Sequence, residues 1–448
     1  MRDHFCFGAI LLALASSGCS LAPEYRQPAM EMPSGWTQVA GARIANQPTA
    51  VPFWQELRSA ELDRLVEAAL SQNLDLEAAL HRIEQARAQA KVAAAPLYPS
   101  ASASGAASRT YQDPKNIDSV RGGGGLSYEI DLWGKNRNQA RAADHRADAS
   151  QFDRDALRLM ITSEVAAFYA QIVSLNDRIL IAQSNLKNAE EILRIIEARF
   201  RQGTVSGLEV SQQRVAVNAF RTALASLNEQ RSLAANALAI LLGQAPQSLT
   251  PPAGSLDSLE LPQVNLTPPA TLLTARPDIR SAESSLRAAN ADIGAARAAF
   301  FPSLTLAVDT VVAAGFGGPA QAATSLASSL LAPIFTGGRL TGDLEEVTAR
   351  QKELAAQYQK TVLIAFQEVE DALASWRSAN DQAAVALESV KESQNAYDIA
   401  KARFDAGAID YLSLLEAQRS LYQAQDEQVA IRERQIESFL LLRRAMGA

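Results

Sequence analysis

Apolar and small residues recur at Leu175, Ile179, Ala182, Leu186, Ala189, Leu193, Ile196 and Phe200, in alternating steps of four and three. Such a heptad seam marks a helix that packs lengthwise on other helices rather than across a globular core. The seam stops at Ala198-Arg199-Phe200-Arg201-Gln202-Gly203, and Leu208 opens a return helix with Val210, Val217, Phe220, Leu224, Leu227, Leu238 and Leu241 on its seam. The device appears again 204 residues later, as Ala402-Arg403-Phe404-Asp405-Ala406-Gly407 followed by Leu412. Counting back from Phe404, the positions Ala400, Tyr397, Ser393, Val390, Ala386, Ala383, Ala379, Trp376, Ala372, Val369, Ala365 and Val362 keep the same alternation. The pattern predicts two long helical hairpins, each turned at a glycine. The first outgoing helix runs from 135 to 202 without Pro or Gly, about 100 Å at the usual rise per residue.

Elsewhere the period drops to two. Ser100, Ser102 and Ser104 alternate with Ala101, Ala103 and Gly105; Leu126, Tyr128, Ile130 and Leu132 alternate with Ser127, Glu129 and Asp131. A polar loop at 112–119 separates the two. Leu304, Leu306 and Val308 then alternate with Thr305, Ala307 and Asp309, and a fourth strand is expected over about Thr324 to Phe335. Strands of roughly ten residues joined by polar loops are the unit of a transmembrane β-barrel, the alternative being soluble hairpins lying on the helices. The glycines at 122–125 lead into a strand and lack a following Lys, so they are no phosphate loop.

The resulting layout is a segment 19–58 rich in Pro and Gly, read as an extended arm, and a first repeat 59–243 made of a helix, a β-hairpin 98–133 and a helical hairpin 134–242. A Pro-rich crossing segment 244–276 leads to a second repeat 277–448, with β-hairpin 302–335 and helical hairpin 337–445.

Composition narrows the function. With 20% charged residues and no apolar run long enough to cross a bilayer as a helix, the helices read as water-facing. A net charge of −7 and the lack of a basic, aromatic-interleaved patch argue against nucleic acid as a partner. Phe5 to Ala15 is apolar and is followed by Ser16-Ser17-Gly18-Cys19. This reads as a signal peptide over 1–18. Cys19 after small residues resembles a bacterial lipobox, with Ser16 where Leu is usual, and is the expected lipidation (palmitate) site. Ser20 is not the Asp that favours inner-membrane retention. Cys6 leaves with the signal, so neither a disulfide nor a Cys-based metal site is expected. His4, His81 and His145 are scattered, and no nucleophile–base pair or metal-ligand spacing emerges. The expectation is a protein with no cofactor, no metal and no catalytic residues, hence not an enzyme.

Several motifs then converge. Arg276-Pro277-Asp278-Ile279-Arg280 precedes Ala295-Ala296-Arg297-Ala298-Ala299-Phe300-Phe301-Pro302-Ser303. Tyr128-Glu129-Ile130-Asp131-Leu132-Trp133-Gly134, Pro333-Ile334-Phe335-Thr336-Gly337-Gly338-Arg339 and Leu414-Leu415-Glu416-Ala417-Gln418-Arg419 occupy matching places in order. Together they resemble the TolC-like outer-membrane factor family, most closely the outer-membrane efflux lipoproteins that serve RND-type tripartite pumps. The resemblance implies an α+β membrane protein and a homotrimer. Four strands per chain would make a 12-stranded outer-membrane β-barrel, continued by a 12-helix periplasmic α-barrel. It also implies an exit duct working with a periplasmic adaptor (a membrane fusion protein) and an inner-membrane RND-type pump, seated in outer-membrane lipid. The bottom-up reading agrees, because four strands cannot satisfy their own edges in lipid.

On that frame Glu129, Asp131 and Asp309 are expected to face the barrel lumen, opposite a lipid-facing apolar row. By the same resemblance the helical turns are the periplasmic gate. Glu416 would form a ring of three carboxylates, aligned with Gln212, while Ser413 aligns with Glu209. Arg403 and Asp410, with Arg199 and Glu209 as counterparts, would latch neighbouring hairpins. Gly203, Thr204, Val205, Ser206, Gly407 and Ala408 are the expected adaptor contacts. A periplasmic adaptor and a structural coiled-coil lipoprotein are the alternative readings; neither accounts for two hairpins and four alternating strands together. The transported substrate is not legible.

Overall fold

The computed structural model describes residues 20–37, 43–44, 52–111, 113, 117–315 and 319–447. Signal and lipidation expectations for 1–19, including Cys19, lie outside the described residues. In chain order the elements are β1 (Arg43–Ile44), α1 (Ala60–Gln72), α2 (Leu74–Ala94), β2 (Ser100–Thr110), β3 (Ile117–Ile130), α3 (Lys135–Arg201) and α4 (Gly207–Leu241). They continue with β4 (Asn265–Leu266), α5 (Pro277–Ala298), β5 (Ser303–Gly315), β6 (Gln321–Leu331), α6 (Arg339–Asp405) and α7 (Tyr411–Ala445). The chain divides into two compact units. One holds the described residues up to Met30 with Ala79–Asp153 and Asp278–Thr361; the other holds Glu31–Ala78, Arg154–Pro277 and Val362–Ala448.

In the first unit a single antiparallel sheet has the order β2-β3-β5-β6. Leu126 faces Val308, Tyr128 faces Leu306 and Ile130 faces Leu304, which puts the apolar row on one side of the sheet. Glu129 opposite Thr305 and Gly125 opposite Asp309 fall on the other side. Every residue of the edge strands β2 and β6 is exposed, and one side of each strand has no partner within the chain. Two strand bounds differ from expectation. The glycine run lies inside β3, which starts at Ile117 and absorbs the end of the predicted loop. β6 ends at Leu331, before Pro333, whose missing N–H ends pairing there.

The same unit seats the arm. Ser20 donates to Asn138 (3.1 Å), Asn290 donates to the Pro23 carbonyl (2.8 Å), and the Tyr25 hydroxyl donates to Glu283 (3.3 Å). Gln27 bonds the Tyr358 hydroxyl. Ala22 lies so close to Gly294 of α5 that a β-carbon there would stand 2.6 Å from both the Ala22 Cβ and Asn138 Nδ2. Small size at 294 is therefore a packing requirement.

In the second unit the predicted seams form the core. Leu175, Ile179, Ala182, Ala189 and Ile196 of α3 are buried, as are Val362, Ala365, Val369, Ala372, Tyr397 and Phe404 of α6. Phe200 breaks the expectation: in the last turn of α3 it is 48% exposed. α3 also corrects the reading that no helix here could cross a bilayer. One 18-residue window is long and apolar enough by length and composition. Half of that window is buried, as in the core helix of a soluble protein, so it is weak evidence for a membrane span. The break near 72–73 is a double cap: Asn73 Oδ1 accepts from Asp75 and Leu76 N–H while its Nδ2 donates to Leu241 O at the end of α4. Arg443, 4% exposed along its side chain, pairs with Glu56 at 2.7 Å.

Candidate gate at the helical turns

Both hairpin turns close in the same way. Gly203 and Gly407 adopt φ of +73° and +71°, and the next residues, Thr204 and Ala408, donate N–H bonds to Arg199 O (3.0 Å) and Arg403 O (2.8 Å). Only glycine takes this left-handed C-terminal position without a steric cost. Beneath the turns, Ile192 and Ile196 of α3, Val210 and Ala216 of α4, Tyr397 and Phe404 of α6, and Tyr411, Leu414, Leu415 and Leu421 of α7 form one buried apolar cluster. All four helix ends therefore meet at a common tip.

The charged residues divide into two groups. Arg199 lies over the Phe404 ring at 4.5 Å and donates to the Phe404 carbonyl (3.3 and 3.4 Å) and the Asp405 carbonyl (3.4 Å). Its positive charge faces the C-terminal carbonyls of α6, where the Phe404 carbonyl also accepts from Gly407 N–H (3.0 Å). Glu209 accepts from Ser206 N–H at 2.5 Å, as half of a capping box on α4. Asp410 caps α7 by accepting from Ser413 N–H at 2.9 Å, and this bond holds its carboxyl below the usual 3.8. These three side chains are engaged within the chain, Arg199 by reaching from the first hairpin to the second, Glu209 and Asp410 each at the start of its own helix. The cause is local: helix ends leave unpaired backbone groups that the nearest charge satisfies first.

Glu416 and Arg403 are different. Both are exposed, and neither side chain has a hydrogen bond or ion pair among the described residues. Ser413 is exposed beside them on α7, and Gln212 is half-buried on α4. Gly203, Thr204, Ser206, Gly407 and Ala408 are exposed on the turns, whereas Val205 packs partly against the apolar cluster.

Sequence reasoning missed the polar rungs that cross between hairpins. Gln213, fully buried, donates to Ala189 O (2.6 Å) and accepts from the Tyr411 hydroxyl. Farther along, Asn185 donates to Gln425 (3.1 Å), Arg178 pairs with Asp426 (2.7 Å) and Ser174 donates to Glu433 (2.6 Å). The available signal was Gln213 itself, a polar residue between the seam positions Val210 and Val217.

On the sheet, Glu129 pairs with Lys135 at 3.0 Å. Asp309 lies over Gly125, in the space that a side chain there would fill. Asp131 falls one residue beyond β3 and accepts from Asn136 N–H (3.1 Å) and Arg137 N–H (2.9 Å). It caps α3 instead of standing in the strand, a further correction.

The family model described as "Outer membrane efflux protein" matches residues 65–244 and 269–448. The chain belongs to the outer membrane efflux protein family. It is 36% identical to the pyoverdine export outer membrane protein OpmQ of Pseudomonas aeruginosa, over 98% of this chain and 95% of that one. It is 32% identical to the toluene efflux pump outer membrane protein TtgF of Pseudomonas putida, over 100% and 97%. Among solved structures, the outer-membrane channel OprN superposes with a TM-score of 0.88 at 27% identity, covering 96% of this chain and 99% of that one. The open state of the Neisseria gonorrhoeae MtrE channel gives 0.84 at 27% identity, covering 96% and 98%. This efflux protein thus has the TolC-like fold, with four strands and two helical hairpins from each of three chains. It is the outer-membrane exit duct of a tripartite efflux system, working with a periplasmic adaptor and an inner-membrane pump.

Proposed function

We propose that this duct is gated at its helical tip, where Glu416 and Arg403 form the constriction and the exposed turn residues Gly203, Thr204, Ser206, Gly407 and Ala408 receive the adaptor. The observation that carries this reading is the division of charge at the tip. Arg199, Glu209 and Asp410 are consumed in holding helix ends, which leaves Glu416 and Arg403 exposed and unpaired among the described residues, available to act across copies. Three Glu416 carboxylates around a threefold axis favour cations. Val205, half-buried against the tip cluster, completes the set of turn residues offered to the adaptor.

In the same reading Cys19 carries the lipid, and 59–243 and 277–448 are duplicated units bridged by 244–276. The duct conducts passively, without chemistry of its own. Its relatives are named for pyoverdine, toluene, solvent and antibiotic export. Such different cargoes at similar identity support a conduit that leaves selection to the pump.

The test is single-channel conductance in planar bilayers of the double variant Glu416→Ala, Arg403→Ala. Conductance rises and cation preference falls if these residues form the constriction. Unchanged conductance and selectivity remove the assignment.

A further inference from the structure

Four buried side-chain amides of the second unit, Asn73, Asn185, Gln213 and Gln435, find partners: Asn73 on Leu241 O, Asn185 on Gln425, Gln213 on Ala189 O and Tyr411, and Gln435 on Asn380. Gln418 is the exception among the described residues of this unit. It is 2% exposed, and neither its Nε2 nor its Oε1 has a hydrogen-bond partner. It sits on the buried face of α7 between Leu414 and Leu415 on one side and Leu421 on the other, all three members of the tip cluster.

At that burial a neighbouring copy of the chain has no access to the amide, so assembly of the trimer does not satisfy it in this packing. An unmet buried amide destabilises the packing that buries it, whereas an apolar residue of similar length would lose nothing there. The flanking seam positions are leucines, so an apolar residue fits the pattern. The rung nearer the tip, Gln213 with Tyr411, shows how the same functional group is accommodated when its partners are present.

We infer that Gln418 is a built-in packing fault that keeps this packing of the tip near balance, so that small displacements of α7 against α3 and α4 relieve it by bringing its amide to water or to carbonyls. Gln418 acts through the packing of the tip and not by touching cargo. The link from this fault to opening rests on the gate reading above, but the fault itself does not.

The test is amide hydrogen exchange on the intact, detergent-solubilised trimer, with Gln418→Met as the length-conserving variant and Gln418→Leu read in the same way as a guard against a folding defect specific to Met. Exchange in 189–201 and 411–421 slows by about tenfold in both variants, while that in 60–72 is unchanged. Tip exchange that is unchanged or faster than in the parent overturns the inference. The two readings separate through conductance. Slower exchange with a lower open probability supports both, and slower exchange with unaltered channel behaviour supports the fault while counting against the gate.

Discussion

Asp410 shows how one carboxylate sets the behaviour of a helix end. Its bond from Ser413 N–H stabilises the ionised form and lowers its pKa below 3.8. A lowered acid contributes stability above its unfolded value and loses it as pH falls through the folded value. Glu433 has the opposite sign: burial raises its pKa, so its contribution is present at low pH and is lost as pH rises. A global melt blends the two, so the tip must be read locally, with a dye on Ala408→Cys. The local midpoint is expected to hold down to about pH 4 in the parent and to drop as pH falls further, toward the lowered Asp410 value. Asp410→Ala starts lower at neutral pH and shows little further fall; a parent-like acid limb in that variant rejects the cap as its cause. At this scale the sequence was only partly legible. Arg199, Glu209, Asp410, Arg403 and Glu416 look alike as charges near a glycine turn. What separates them is which one lies within reach of an unpaired backbone group, a distance that spacing alone does not give. Gln213 and Gln418 are likewise indistinguishable polar interruptions of a seam until their partners are seen.

The elements were legible in proportion to the length of their pattern. α3 and α6 repeat the heptad step often enough that neither the helices nor their buried face was in doubt, and only the end at Phe200 strayed. The strands are short and small-residue rich. β2 is mostly Ser, Ala and Gly, and the glycines of β3 read as preceding the strand because glycine alone carries no face; their pairing with Val311 and Asp309 across β5 supplies what the residue type lacks. Least legible was the seat of the arm, since Gly294 sits inside α5 where glycine has no local purpose. Gly294→Val tests that seat. The added side chain overlaps Ala22, and trypsin cleavage at Arg26 accelerates by about tenfold, as read by mass spectrometry of the folded protein. An arm cleaved no faster than in the parent means that Ala22 is not held there.

For the whole molecule the deciding fact is arithmetic about edges. One chain supplies a sheet of four strands, and its outer strands β2 and β6 each leave a row of backbone groups unmet. In lipid those groups must be paired, and only other copies of the chain can do so around a closed ring. The duplication at a spacing of 204 residues made the hairpins legible, but the number of copies does not follow from it; that came from the family resemblance. The most direct test is the native mass of the protein extracted from outer-membrane fractions in mild detergent, without heating. The account predicts a single species of three chains, and a lone chain with the same sheet would contradict it.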